Sequence, residues 1–304
     1  MHHTRRFLAH RMLLGTLVAP LGAFLPGKTA AQGLPAPESD IRALLRRARD
    51  SSASANQRGR VALDRTLERV EDLGLETMES RVIVVNIAAA ELIVYDAGRE
   101  VLRSRIVVGA ARTRTPQLAS FVTSVRTNPP WYVPTSIEAE IRAAGATGFR
   151  VVNGRFIQPP GPTNPLGPIR IGLVDSDGIF LHGTNSPGLF ARRERALSHG
   201  CVRVERIREL AAWVLDTTPA AIAATLATGR TLELIPPREV AVVLAYLTAW
   251  PDAGGRVVAY GDPYGLDAPG SRRAPYRRIA RPVPQTPAEA EAAARTTTPD
   301  ENPL

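Results

Sequence analysis

One cysteine, Cys201, and one lysine, Lys28, occur in 304 residues. A single cysteine closes no intramolecular disulfide, so the core alone must hold the fold. The thiol is then a reactive group, an intermolecular bridge or a small buried hydrophobe. No Cys-x-x-Cys or His-x-x-x-His pair provides the spacing of a structural zinc site, and neither a metal nor another cofactor is expected. The most apolar stretch, Met12 to Leu25, is about 14 residues long and is interrupted by Gly15 and Pro20, short of the roughly 20 a spanning helix needs. Basic residues are not interleaved with aromatics, which make up 5% of the chain, so no nucleic-acid partner is expected. Internal repeats are absent as well.

The N-terminus is organised for export. Arg5, Arg6 and Arg11 lead into the apolar stretch, and Thr29-Ala30-Ala31 places small residues before Gln32. This is the plan of a secretory signal peptide over residues 1–31, cleaved after Ala31, with an uncleaved membrane anchor as the alternative. It predicts a location in the periplasm or cell envelope. The formal charge of +9 includes four basic residues of that segment and no acidic one, so residues 32–304 carry +5. A modest positive charge suits weak contact with an anionic wall polymer or membrane surface.

A helical segment is expected over residues 32–80, with helices at Ile41–Asp50 and Arg60–Leu73 and a cap at Gly74. From Arg81 the rhythm changes to strands: Val82–Ile87, Glu91–Asp96, Val101–Val108 and Phe121–Asn128, with a hairpin turn at Asp96-Ala97-Gly98. A short helix follows at Ile137–Ala144. Strands are then expected at Ile169–Val174 and Ile179–Leu181, the second delivering His182. Past Cys201, an amphipathic helix runs from Ile207, and another starts at Pro219. Thr231–Ile235 is read as the last core strand, and Val240–Thr248 with Arg256–Tyr260 as a closing hairpin. Residues 268–304, rich in Pro, Ala and Arg, are read as a disordered tail. The sum is one mainly β domain with a few helices, of the α+β class.

The lone cysteine lies in Ser198-His199-Gly200-Cys201-Val202-Arg203-Val204. A thiol nucleophile needs a base, and two histidines compete for that role: His182, in Leu181-His182-Gly183-Thr184-Asn185, and His199. Gly200 leaves the neighbouring backbone amides unobstructed, so that they can hold a developing oxyanion, which is worth roughly 3–4 kcal/mol per well-placed donor. Arg203 shares a face with Cys201 if the run is extended, and a guanidinium there can steer a substrate carboxylate.

The two blocks HGTN at 182–185 and SHGCVRV at 198–204 resemble the signature of the L,D-transpeptidases, whose catalytic domain is of the YkuD type. Wider similarity, including TNPPWYVPTSI, PPGPTNPLGPIRI and GDPYGLD, resembles the YcbB-like branch with a shortened N-terminal region. The resemblance implies a YkuD-like β-sandwich catalytic domain over residues 81–267. It implies Cys201 as nucleophile and His182, rather than His199, as general acid and base, its ring held by a carbonyl such as that of Gly183. His199, Gly200 and Cys201 would supply the oxyanion backbone, and Ser198 would brace the turn. Arg203, Thr184 and Asn185 would contact substrate, while Trp131 and Tyr132, with the helix after them, would form a lid. The implied partners are peptidoglycan stem peptides: a tetrapeptide donor that loses D-alanine to a thioester, and an acceptor amine that forms a cross-link between third residues. Covalent reaction with carbapenems is implied too. The same acyl-enzyme serves a carboxypeptidase, a hydrolase of cross-links or a lipoprotein-anchoring enzyme, and a non-catalytic wall-binding protein is the alternative of another class.

Overall fold

The computed structural model describes residues 41–51, 57–73, 81–145, 147–271 and 275–279, all within one compact unit, Pro37–Leu304. The expected signal peptide, the Gly74 cap and everything past residue 279 lie outside the described residues.

The first two elements are helices, α1 (Ile41–Ser51) and α2 (Gln57–Leu73). Ile41 and Leu45 on α1 are buried one turn apart, and α2 buries Leu63, Thr66, Val70 and Leu73. These stripes pack on the outside of β1 (Val82–Asn86) and β2 (Glu91–Asp96). All five residues of β1 are buried because the strand has two dry faces. Ile83 and Val85 point to the central core, Val82 and Val84 to the helices. Ala97 (φ 48°) and Gly98 (φ 75°) then make a left-handed two-residue turn into β3 (Arg99–Gly109). The N-terminal helices therefore share a core with the strands and do not form a segment apart.

Strands β3 and β4 (Gln117–Thr127) are 11 residues each, long enough to serve two sheets. Next along the chain come β5 (Trp131–Tyr132), α3 (Thr135–Ala143), β6 (Arg150–Val152), β7 (Arg155–Gln158), β8 (Ile169–Leu173) and β9 (Leu181–His182). After them lie β10 (Ala196–Ser198), β11 (Val202–Val204), α4 (Ile207–Val214), α5 (Pro219–Ala227), β12 (Leu232–Leu234) and β13 (Ala241–Ala245). The first part of β3 pairs with β2 and its end with β11 and β10, while β4 pairs with β13 at its start and β8 at its end. The circuit β3-β11-β9-β8-β4-β13-β1-β2 closes back on β3. A closed circuit whose long strands turn the corners is a barrel-like β-sandwich. Its interior holds Ile106, Leu118, Ile169, Ile171, Leu181, Val202 and Val204, together with Leu210 and Ala211 of α4.

Three expectations need correction. The strand at Thr231–Ile235 is not a core strand: β12 pairs with β4 alone, and Leu232 and Leu234 are only half buried. The last core strand is β13, parallel to β1 and antiparallel to β4, and its partners stand too far back along the chain for turn signals to reveal them. The closing hairpin forms instead from β14 (Ala249–Pro251) and β15 (Val257–Ala259). The start of the expected disordered tail is ordered: β16 (Tyr276–Arg278) pairs in parallel with the start of β4. Its Arg278 guanidinium donates to the Leu73 carbonyl at 3.1 Å, and Arg277 pairs with Asp177 at 2.9 Å.

Between β4 and β8 sits a small sheet ordered β5-β7-β6, accompanied by α3. Only α3 is expected from periodicity. The hairpin joining β6 to β7 turns through Asn153 (φ 50°) and Gly154 (φ 79°), an Asn-Gly signal present in the sequence. No single helix among the described residues is long and apolar enough to cross a membrane.

Candidate active site

Alternation along three short strands builds the site. On β8, Ile169 and Ile171 face the interior, on β9 Leu181 does, and on β11 Val202 and Val204 do. The residues between them face the other way. Register places Arg170 opposite His182 on β9, and His182 opposite Arg203 on β11. One cross-strand row therefore reads Arg170, His182, Arg203. It continues through Arg126 on β4 to Glu233 on β12. Cys201 stands one residue ahead of β11 and two from Arg203, so it shares Arg203's face and lies close enough to Arg170 and Arg203 to feel their charge.

The thiol is held in a neutral state. Cys201 Sγ donates to the Gly178 carbonyl at 3.5 Å. Burial pushes its pKa up, against the opposing pull of the Phe180 backbone, Arg170 and Arg203. His182 is 4% exposed. Burial, with the charges of Arg203 and Arg170, lowers its pKa to about 4, against the carbonyls of Gly183 and Leu166, which favour the charged form. Neither carbonyl completes a hydrogen bond to Nδ1. At neutral pH the pair is thus a thiol and a neutral imidazole, which is the state of a base ready to accept a proton.

The other histidine is elsewhere. His199 is exposed, and its Nε2 lies 3.6 Å from Glu140 of α3. Of the two candidate bases, only His182 lies in the buried row.

The turn carrying Cys201 is pinned on every side. Ser198 Oγ donates to the Cys201 carbonyl at 2.6 Å and accepts from the Gly200 amide at 3.1 Å. Thr115 Oγ1 donates to the Gly200 carbonyl at 2.7 Å and accepts from the Gly109 amide at 2.9 Å. Tyr264 OH donates to the Gly109 carbonyl at 2.6 Å and accepts from the Thr115 amide at 3.2 Å. Thr113 Oγ1 reaches the Ser198 carbonyl at 2.8 Å. Gly200 has φ 124°, a region that favours glycine. Its amide is already engaged by Ser198, which corrects the expectation that it serves the oxyanion.

Gly183 is required for a different reason. A Cβ there would meet Pro168 Cδ at 2.9 Å and the Leu166 carbonyl at 3.3 Å, so the segment packed against His182 could not approach as closely. Thr184 and Asn185, expected to contact substrate, tie down their loop. Thr184 Oγ1 accepts from the Ser186 amide at 3.1 Å, and Asn185 Nδ2 donates to the Thr163 carbonyl at 2.8 Å. Trp131 packs in the inserted sheet, its ring 6.2 Å from that of Phe149. Tyr132 is exposed and close enough to Arg170 to act on it electrostatically.

Sequence reasoning missed Arg170, Thr115, Thr113 and Tyr264. Arg170 had a signal: a charge between two isoleucines in a strand marks a polar face. The others are common residues in turns whose partners are distant in sequence. Among the described residues no group of three or more His, Cys, Asp and Glu is placed to hold a metal ion.

Comparison with known proteins follows the same residues. Residues 80–222 match the YkuD family, described as the L,D-transpeptidase catalytic domain. A curated Haemophilus influenzae protein whose name carries the term L,D-transpeptidase is 30% identical over 217 residues, covering 61% of this chain and 44% of its own length. The chain thus spans less than half of that relative. Among solved structures, an L,D-transpeptidase from Mycobacterium smegmatis is 15% identical over 54% of this chain and 58% of its own, with a TM-score of 0.31. L,D-transpeptidase 3 from Mycobacterium tuberculosis, in complex with a faropenem-derived adduct, is 13% identical over 54% and 59%, also with a TM-score of 0.31. Residues 80–222 of this chain, which hold both candidate histidines and the lone cysteine, are thus similar to the YkuD-type L,D-transpeptidase catalytic domain.

Proposed function

We propose that the chain is a cysteine-dependent L,D-transpeptidase of the cell envelope that cross-links peptidoglycan stem peptides through their third residues. The observation that carries this reading is that Cys201 lies within the field of Arg170 and Arg203, the two residues whose strands flank the neutral, buried His182. The wider blocks favour the YcbB-like branch.

Cys201 Sγ attacks the carbonyl at the L-centre of the donor's third residue, and its proton passes to His182. The tetrahedral oxyanion is held by the amides of His199 and Cys201, each contributing roughly 3–4 kcal/mol in a water-poor site. Collapse breaks the bond to D-alanine, whose amine takes the proton back from the imidazolium. A thioester remains. An amine of a second stem then attacks it, losing a proton through His182, and the sulfur leaves to recover its proton. One amide is broken and one is made, so no oxidant and no energy source is needed.

Incubation with a disaccharide-tetrapeptide, followed by product masses, tests the proposal. A dimer short of one D-alanine is expected. A tripeptide monomer would replace cross-linking with hydrolysis, and an unchanged substrate would overturn the enzymatic reading.

A further inference from the structure

The row beside the thiol contains more positive charge than the fold neutralises. Arg126 has its counter-ion: Glu233 accepts from its Nε at 2.8 Å. Arg170, the next position along, has no hydrogen bond or ion pair among the described residues, and its Nε is buried without a partner. Its guanidinium carbon lies over the Phe180 ring, 4.3 Å from the centroid. The cation–π contact holds the group in place without consuming its N–H donors. Arg203 is likewise without a hydrogen bond or ion pair, with a buried Nε. Two partly buried guanidinium groups without a directly paired anion, Arg170 having only the longer-range pull of Glu233, are costly to hold in a folded protein. Their backbone positions flank that of His182, each a strand spacing of roughly 4.8 Å away.

That symmetry has a chemical meaning once the reaction is considered. The imidazole that takes the thiol's proton must return it to the departing nitrogen, so that nitrogen sits against His182. If the departing residue ends the peptide, its carboxylate is two bonds from the same nitrogen. It then falls within reach of the arginines flanking the ring. A carboxylate accepts paired N–H bonds from guanidinium in a geometry that lysine cannot reproduce.

Resting on the transpeptidase reading above, we propose that Arg170 and Arg203 form a carboxylate subsite that binds the free C-terminal carboxylate of the residue being expelled. The site then selects donors in which the scissile bond is the last one in the stem. A peptide extended by one residue, or capped as an amide, offers no charge at that point.

Two measurements on the full chain test this. In the first, Cys201 is alkylated with iodoacetate and with iodoacetamide, which differ in charge but not in reaction. The ratio of the two rates is expected to fall about tenfold or more in Arg170→Gln, consistent with losing a charged hydrogen bond, and to be partly restored in Arg170→Lys. The neutral reagent corrects for any change in thiol ionisation. An unchanged ratio would overturn the subsite, whatever the enzyme does with peptides. In the second, tetrapeptide donors ending in a free acid or a carboxamide are compared. Wild type is expected to prefer the acid by roughly 10- to 100-fold in kcat/KM, and Arg170→Gln to lose that preference. Amidating the side-chain carboxyl of the third residue instead should leave the preference intact, and a loss there would reassign the carboxylate and overturn the proposal. Equal use of acid and amide donors by an active wild type would also sink it while leaving the transpeptidase reading standing. A retained iodoacetate preference with no peptide turnover would do the reverse.

Discussion

Strands β1 and β9 belong to one closed circuit, yet their outer faces are used differently. The outer face of β1 carries Val82 and Val84 and is covered by α1 and α2. The outer face of β9, with its neighbours β8 and β11, carries His182 between Arg170 and Arg203. Both regions use the same inner core, with Ile83 and Val85 in one and Leu181 and Val202 in the other. The difference lies in what the second face has been given to do. Where it is packed, the strand reads as an unbroken apolar run. Where it is chemical, apolar residues alternate with titratable ones, and burial shifts their protonation.

Substitutions in the two regions should separate activity from stability. His182→Ala removes the base from the chemical face and is expected to slow acylation by roughly 10²- to 10⁴-fold, with His199→Ala, on the exposed side of the turn, within a few-fold of wild type. Stopped-flow acylation checks both, and the reverse ranking would reassign the base. On the packed side, Leu45 is fully buried under α2. Leu45→Ala is expected to cost about 2–5 kcal/mol of stability with kcat/KM unchanged at temperatures where the variant remains folded. Denaturant titration beside an activity assay would show it.

A smaller effect joins the two properties. The ordinary histidine pKa is near 6.5, and that of His182 is lowered to about 4 by burial and the flanking arginines. Between these values the unfolded chain takes up a proton that the folded one refuses. This contribution to stability is therefore intact above pH 6.5 and is lost as pH falls toward 4, by roughly 3 kcal/mol in all. Denaturation of wild type and His182→Gln at pH 7 and pH 4.5 should show a steeper decline in wild type. Equal slopes would mean the imidazole is not held neutral by its surroundings. The acid limb of acylation should correspondingly lie near pH 4 rather than 6.5.

Much of the site could be read from the chain before any coordinates. Cys201 and His182 are local in two short blocks, and the apolar run Ile179–Leu181 after the Asp175–Gly178 turn signals a strand, which forms two residues later at Leu181–His182. The two N-terminal helices follow from their periodicity, although the second, expected from Arg60, begins three residues earlier at Gln57. What escaped reading is non-local. β13 is apolar throughout because it lies between β1 and β4, and nothing within reach of a turn shows that. Tyr264 and Thr115 support the Cys201 turn across 149 residues, through hydroxyls that any surface residue of those types would also carry. Gly200 was expected to offer its amide to substrate, but Ser198, two residues away, takes it. Whether a polar group is free depends on geometry that spacing alone does not carry.

The central claim is that a neutral imidazole at residue 182 activates the thiol at residue 201 toward a stem peptide. Intact-protein mass spectrometry of the full chain with a tetrapeptide donor and no acceptor amine addresses it directly. The account predicts a single added acyl mass equal to the donor less D-alanine, mapped to Cys201 and absent from Cys201→Ala. D-alanine release undiminished in Cys201→Ala, or an acyl group mapped to any other residue, would contradict it.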